Sequence, residues 1–181
     1  MTDAAATRTR PRFADDAADE AADKAADEAV VVAAALAERL GSWTVATAES
    51  CTAGRIASAL ACVDHAVDFL RGGVVAYQED QKRSLLGVTA DRVVSTQAAA
   101  EMATGVARLM GADVAVATTG VAAAEPEDGV PGRTVFIGTI VDGQCEVAEH
   151  HFDGSPEQVC ARASVQALRD LMDRLPEGGG G

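Results

Sequence analysis

Two places in this sequence carry residue types that can do chemistry together. One is the serine of Thr44-Val45-Ala46-Thr47-Ala48-Glu49-Ser50-Cys51-Thr52-Ala53-Gly54-Arg55; the other is Lys82, five residues after Tyr77. Val45 and Ala46 close a short apolar, β-compatible run, and Ala53 to Val63 is a stretch of helical length rich in Ala, Ile and Leu. Glu49 to Thr52 is therefore expected to form a strand-to-helix turn. The first turn of a helix leaves backbone N–H groups unpaired and carries partial positive charge, which suits an oxyanion, carboxylate or phosphate against Ser50 to Gly54. Ser and Thr are also ordinary helix N-caps, so this turn alone leaves a structural and a catalytic reading open.

Tyr77 is the single tyrosine and Lys82 one of only two lysines (with Lys24) in a chain that otherwise uses arginine. An unselected surface pair is one reading. The other is that an amine able to lose its proton was needed where an always-charged guanidinium cannot act as a base.

The elements that would position these groups follow from periodicity and punctuation. Residues 1–28 form an acidic Ala/Asp-rich, low-complexity segment with Ala-Ala-Asp at 17–19, 21–23 and 25–27. Because the repeat has no large apolar side chains to bury, the segment is expected to begin disordered and turn helical towards Val30, where Val30 to Val32, Leu36 and Leu40 make an apolar stripe ended by Gly41. A strand from Trp43 to Thr47, the helix through Cys62, a local helix at Ala66 to Leu70, and a strand Val74 to Tyr77 entered through Gly72-Gly73 come next. Then follow a short helix Glu79 to Leu86 closed by Gly87, and a helix Gln97 to Met110 capped by Thr96 or Ser95, stopped at Gly111, with small residues towards a sheet. A buried strand Asp113 to Thr118 leads into Thr118-Thr119-Gly120 and a long loop of the kind that is functional or mobile. Arg133 to Val141 and Gln144 to Phe152 read as a hairpin about Asp142-Gly143, and Pro156 opens a last helix to about Arg174. Residues 29–175 make one α/β domain, and 176–181 a flexible Gly tail. The order predicts a three-layer α/β/α sandwich with a mixed sheet containing a C-terminal β-hairpin. Ligands of such sheets bind beyond the carboxyl ends of strands, which gathers Ser50, Tyr77, Lys82 and Thr118/Thr119 as candidates for one pocket.

Composition limits the partners. A net charge of −13, from 15 basic and 28 acidic residues, opposes binding to nucleic acid or to an anionic membrane, and points to a salt-adapted, halophilic source whose surface carboxylates need screening. Neither a membrane-spanning run nor a secretion signal is present, so a cytoplasmic location is expected. Cys51, Cys62, Cys145 and Cys160 lack CxxC spacing, and the adjacent His150 and His151 would face opposite sides of a strand, so no metal site is expected.

The runs Ala48-Glu49-Ser50-Cys51-Thr52-Ala53-Gly54, Arg71-Gly72-Gly73-Val74-Val75-Ala76-Tyr77 with Lys82, Gly87-Val88, Val94-Ser95 and Thr119-Gly120-Val121-Ala122 resemble the CinA C-terminal-domain family from about Val30 to Leu175. The resemblance implies a nicotinamide-nucleotide amidohydrolase, which converts nicotinamide mononucleotide to nicotinic acid mononucleotide and ammonia. It would be in stand-alone form, without the N-terminal nucleotide-pyrophosphatase domain of larger family proteins. Ser50 is then the nucleophile, Lys82 its base and Tyr77 a support for proton transfer, with no cofactor and no metal. Glu49, Cys51, Thr52, Gly54, Thr118, Thr119, Gly120, Arg133 and Arg162 are expected around the substrate, with Thr119 binding it or orienting Lys82. An isolated serine is a weak nucleophile and no histidine lies in a matching segment, which agrees with activation by an amine. The helix after Ser50 is expected to supply amides to the oxyanion, and Arg55 or Arg71 to supply positive charge that depresses the Lys82 pKa. The expected partner is a small pyridine nucleotide, in a homo-oligomer taken as a dimer.

The departures bear on the substrate. The Gly-Pro-rich turn of the family reads Ala123-Ala124-Glu125-Pro126, and the two family arginines near the nucleotide end are Pro156 and Cys160. Arg133 or Arg162 could replace them. Three readings stay open: a nicotinamide mononucleotide amidohydrolase, a Ser-Lys hydrolase of another small amide, and a non-catalytic ligand-binding protein.

Overall fold

The computed structural model describes residues 16–177. At its centre is a five-stranded mixed sheet of order β2-β1-β3-β4-β5, formed by β1 (Val45–Glu49), β2 (Leu70–Val75), β3 (Val114–Val121), β4 (Thr134–Val141) and β5 (Gln144–His151). β1 runs parallel to β2 and β3, while β4 and β5 are antiparallel additions. Their hairpin turns at Asp142 (φ 51°) and Gly143 (φ 70°), both left-handed as a two-residue turn of this kind requires. The α/β class, the mixed sheet and the C-terminal hairpin are as expected.

Every position of β1 and β4 is buried, because helices cover both faces. On one side lie α1 (Asp16–Leu40), α2 (Arg55–Ala61), the short α3 (Ala66–Phe69) and α6 (Pro156–Arg174); on the other, α5 (Thr96–Met110) rests on the sheet and α4 (Glu79–Leu86) on α5. The strand period of two divides the core accordingly. Val45, Val114 and Val116 join Leu36 and Leu168, whereas Ala46, Ala48, Ala115 and Ala117 join Met102 and Val106. Ser95 caps α5 by accepting from the Ala98 amide. Ser155 caps α6 in a reciprocal box with Gln158, with proline opening the helix.

Three expectations are corrected. The N-terminal helix begins at Asp16 rather than near Val30, so the boundary drawn at residue 28 falls inside it. Ala22, Ala25 and Ala29 are buried and continue the stripe of Val32, Leu36 and Leu40. Methyl groups three and four residues apart let α1 lie close on α6, so the repeat did have a face to bury. The start of the repeat-bearing segment before Asp16 and the glycines after Glu177 lie outside the described residues. Second, β2 starts at Leu70 and ends at Val75, which puts Gly72 and Gly73 inside the strand and Tyr77 beyond it. A Cβ at Gly73 would collide with Thr47 Oγ1, so glycine is the residue that lets β2 pair with β1 there. Third, β1 begins two residues after Trp43, since the Thr44 amide and hydroxyl are tied to the Asp113 carboxylate at 2.8 and 2.7 Å.

Candidate active site

The register sets Glu49 beside Val75 on one flank and Thr118 on the other, so the carboxyl ends of β1 and β2 open on one edge. Ser50 follows directly. Its amide donates to the Thr118 carbonyl at 3.0 Å and its carbonyl accepts from Ala53 at 3.1 Å. Behind it the wholly buried Glu49 carboxylate accepts from the amides of Gly54 (2.9 Å), Ile56 (3.1 Å) and Ala57 (2.8 Å) and the hydroxyls of Thr52 (2.7 Å) and Thr47 (3.3 Å). The start of α2, expected to be free for an anion from the substrate, is thus occupied by the protein's own anion. Thr52 and Thr118 hydroxyls lie 2.8 Å apart; because Thr52 gives its proton to Glu49, Thr118 is the donor between them. Glu49, Thr52, Gly54 and Thr118 accordingly build the turn and do not line the cavity in front of it. In the turn, the Cys51 and Thr52 amides are the ones without a carbonyl or carboxylate partner on another residue, among the described residues.

That cavity, about 510 Å³, receives Ser50 and Cys51 from the turn, Tyr77 from the β2–α4 connection, Lys82 from α4, Gly120 from the end of β3, Glu127 from the segment after it, and Pro156 and Cys160 from α6. A groove of 490 Å³ between α1, α2 and α6 is lined largely by alanines and holds neither Ser50 nor Lys82. Lys82 shares the inner face of α4 with Leu86 and is only 3% exposed; Ser50 is 6% exposed. The Lys82 ammonium has no ion pair or hydrogen bond among the described residues. Burial pulls its pKa below the ordinary 10.5, against the opposing pull of the Cys51, Glu127 and Glu79 groups. The expected arginine beside it is absent. Arg55 pairs with Glu157 at 3.2 Å and Arg71 donates to the Met110 carbonyl, so desolvation alone depresses this amine. Burial also pushes the Cys51 thiol up to about 12, which keeps it protonated next to the serine.

The remaining expected site residues divide. Tyr77 stands at the rim with 66% of its surface exposed. Thr119 Oγ1 donates to the Val93 carbonyl at 2.7 Å, holding a wall of the cavity instead of touching Lys82. Gly120 lines the cavity where a Cβ would come within 2.5 Å of the Thr134 carbonyl. Arg133 and Arg162 do not line it: they donate to the Gly154 and Asp153 carbonyls at 3.0 and 2.7 Å and brace the turn into α6.

The sequence profile of the CinA C-terminal domain matches residues 26–175. This chain belongs to the CinA C-terminal-domain family. Protein YdeJ of Escherichia coli is 38% identical over 149 residues, covering 78% of this chain and 87% of that one. A crystal structure of a competence-damaged protein (CinA) superfamily protein from Klebsiella pneumoniae has a TM-score of 0.78 and 35% identity, covering 81% of this chain and 97% of that one. The CinA-like protein of Thermotoga neapolitana is 38% identical over 144 residues, but the match takes in only 35% of it. The chain thus spans about a third of the length of such CinA relatives.

In this CinA domain Pro156 and Cys160, the positions at which the resemblance implied arginines, both line the cavity. Sequence reasoning missed Glu127 and Asp128, which line it from the long loop after β3; the loop's length was the available signal. His150 binds Asp170 at 2.8 Å and His151 binds Thr134 at 3.0 Å, on opposite faces of β5. Among the described residues no cluster of metal-binding side chains occurs, and no helix is long and apolar enough to cross a membrane.

Proposed function

We propose that this CinA-family chain is a Ser-Lys amidohydrolase that deamidates nicotinamide mononucleotide to nicotinic acid mononucleotide and ammonia. The supporting observation is that Ser50 and a buried, unpaired Lys82 line one cavity. Neutral Lys82 takes the Ser50 proton as Oγ bonds to the carboxamide carbon. The Cys51 and Thr52 amides receive the oxyanion. The ammonium of Lys82 then returns the proton to the departing amine, releasing ammonia and leaving an ester on Ser50. Water, deprotonated by Lys82, splits that ester to the carboxylate and restores the serine. In this reading Tyr77 supports proton transfer after its ring turns in from the rim.

A second reading, hydrolysis of another small amide by the same pair, is favoured by the uncharged Pro156 and Cys160 in the cavity wall. Ammonia release from a panel of pyridine nucleotides and simple amides, in molar salt, tests both. Turnover of nicotinamide mononucleotide supports the first, turnover of simple amides alone the second, and ligand binding without ammonia would make the domain a binding protein.

A further inference from the structure

We infer that the cavity is also a carboxylate site, in which protonated Lys82 holds the carboxylate of the acid product, or of a small pyridine carboxylate like it, as a buried ion pair. The reaction is then inhibited by its own product, more strongly as pH falls. This deepens the amidohydrolase reading and rests on it for the pyridine ring, whereas the carboxylate needs only Lys82.

Lys82 is 3% exposed on the inner face of α4 and lines the cavity without an ion pair or hydrogen bond among the described residues. Among those residues every side-chain nitrogen or oxygen that is sealed from solvent has a hydrogen-bond partner. The partnerless Lys82 Nζ is therefore not sealed, and it opens on the cavity.

The groups around it leave that ammonium uncompensated. Glu79, on its own helix, pairs with Arg83 at 2.8 Å, and Glu157 of α6 pairs with Arg55 at 3.2 Å. Glu127 and Asp128, on the loop after β3, are exposed, and the Arg92 guanidinium lies against Gly129 of the same turn, 3.4 Å from where a Cβ would stand. Water screens these two carboxylates, and the effect of burial on Lys82 outweighs the pull of Glu127 and Glu79. Glu49 is held behind the turn by its five donors, and Tyr77 stands at the rim. Burial pushes the Cys51 and Cys160 thiols up, which keeps both uncharged.

Substrate and product differ at this point by one charge. A carboxamide brings none to Lys82. When the ester on Ser50 is hydrolysed, the carboxylic acid formed gives its proton to the neutral amine: its O–H bond breaks, an N–H bond forms, and carboxylate and ammonium face each other out of water. Charge-assisted contacts are roughly twice as strong as neutral ones, and this one relieves a cation buried without a counter-ion. A bound carboxylate thus favours the charged amine, while turnover needs the neutral one. Product and proton act in the same direction, since both take the base away.

The test titrates the protein with nicotinate and with nicotinamide from about pH 6 to about pH 10, where nicotinate stays ionised. Affinities come from nuclear magnetic resonance, and calorimetry in two buffers of different ionisation heat counts the protons taken up. Nicotinate is expected to bind at least about tenfold more tightly than nicotinamide at the acid end. Its affinity should fall as pH rises through the Lys82 ionisation, with proton uptake approaching one, while that of nicotinamide stays level. Lys82→Met should lose both the preference and the proton uptake; Lys82→Arg should keep the preference and bind without proton uptake. Equal affinity for the two ligands, binding of neither, or a preference that survives in Lys82→Met overturns the inference. Wild type that binds nicotinate in this way but releases ammonia from no amide loses the amidohydrolase reading and keeps the carboxylate site, so the two failures are distinguishable.

Discussion

Thr52 Oγ1 donates to Glu49 Oε2 across 2.7 Å with both side chains wholly buried. The pair locks the turn that carries Ser50, because the same carboxylate gathers three amides at the start of α2. Hydrogen bonds to a charged acceptor out of water are among the stronger ones, and stranded donors cost more than made bonds gain. Glu49→Ala should destabilise the domain by roughly 3 kcal/mol or more, read from urea unfolding, and Glu49→Gln by somewhat less, since its NH2 would confront N–H donors. A variant as stable as wild type would mean that the amides find other acceptors.

For Ser50 the expectation is the reverse. Its hydroxyl makes no hydrogen bond within the described residues, so Ser50→Ala should change stability by less than about 1 kcal/mol. Ammonia release should fall to background. Full activity in this variant would end the serine mechanism.

Lys82 gives two separable outcomes. Lys82→Arg keeps the charge but cannot yield a proton at working pH, so it should be nearly as inactive as Lys82→Ala while still binding substrate. The wild-type rate should rise with pH through one ionisation lying below 10.5, in the direction set by burial. An arginine variant turning over near the wild-type rate would reduce Lys82 to an anchor.

The same shift has a sign in stability. Folded Lys82 holds its proton less firmly than the unfolded chain, so the cost of burying its charge is fully present below the folded pKa. That cost disappears as pH rises from the folded value to the unfolded 10.5. Lys82→Met should therefore be more stable than wild type at neutral pH, with the gap narrowing as pH is raised through that window. Denaturant midpoints measured across pH check this; a gap that widens with pH would contradict it.

The net charge of −13 predicts a salt response. Unscreened carboxylate repulsion should lower the melting temperature in dilute buffer, and molar KCl or mild acid should restore part of it. A melting temperature flat from dilute to molar KCl would show that the charges are spaced too widely to matter.

The sequence by itself determined the parts governed by local rules. The Asp142-Gly143 hairpin, the Ser95 and Pro156 helix starts, the Gly87 and Gly111 stops, and the placement of Ser50 at a strand-to-helix turn and of Lys82 on the short helix that ends at Gly87 all follow from backbone preferences and periodicity acting within a few residues. Tertiary structure decided what depended on distant neighbours. Gly73 belongs inside β2 only because Thr47 lies against it, and the alanines of α1 are core only because α6 offers a close face. Glu49 caps α2 rather than leaving its amides to a ligand, a choice fixed by how β1 turns into the helix. Arg133 and Arg162 were candidates to replace the arginines that the resemblance implied, yet the Gly154 and Asp153 carbonyls before α6 claim them. The local sequence states which groups are available, whereas burial and competition among partners determine which of them remain free to act.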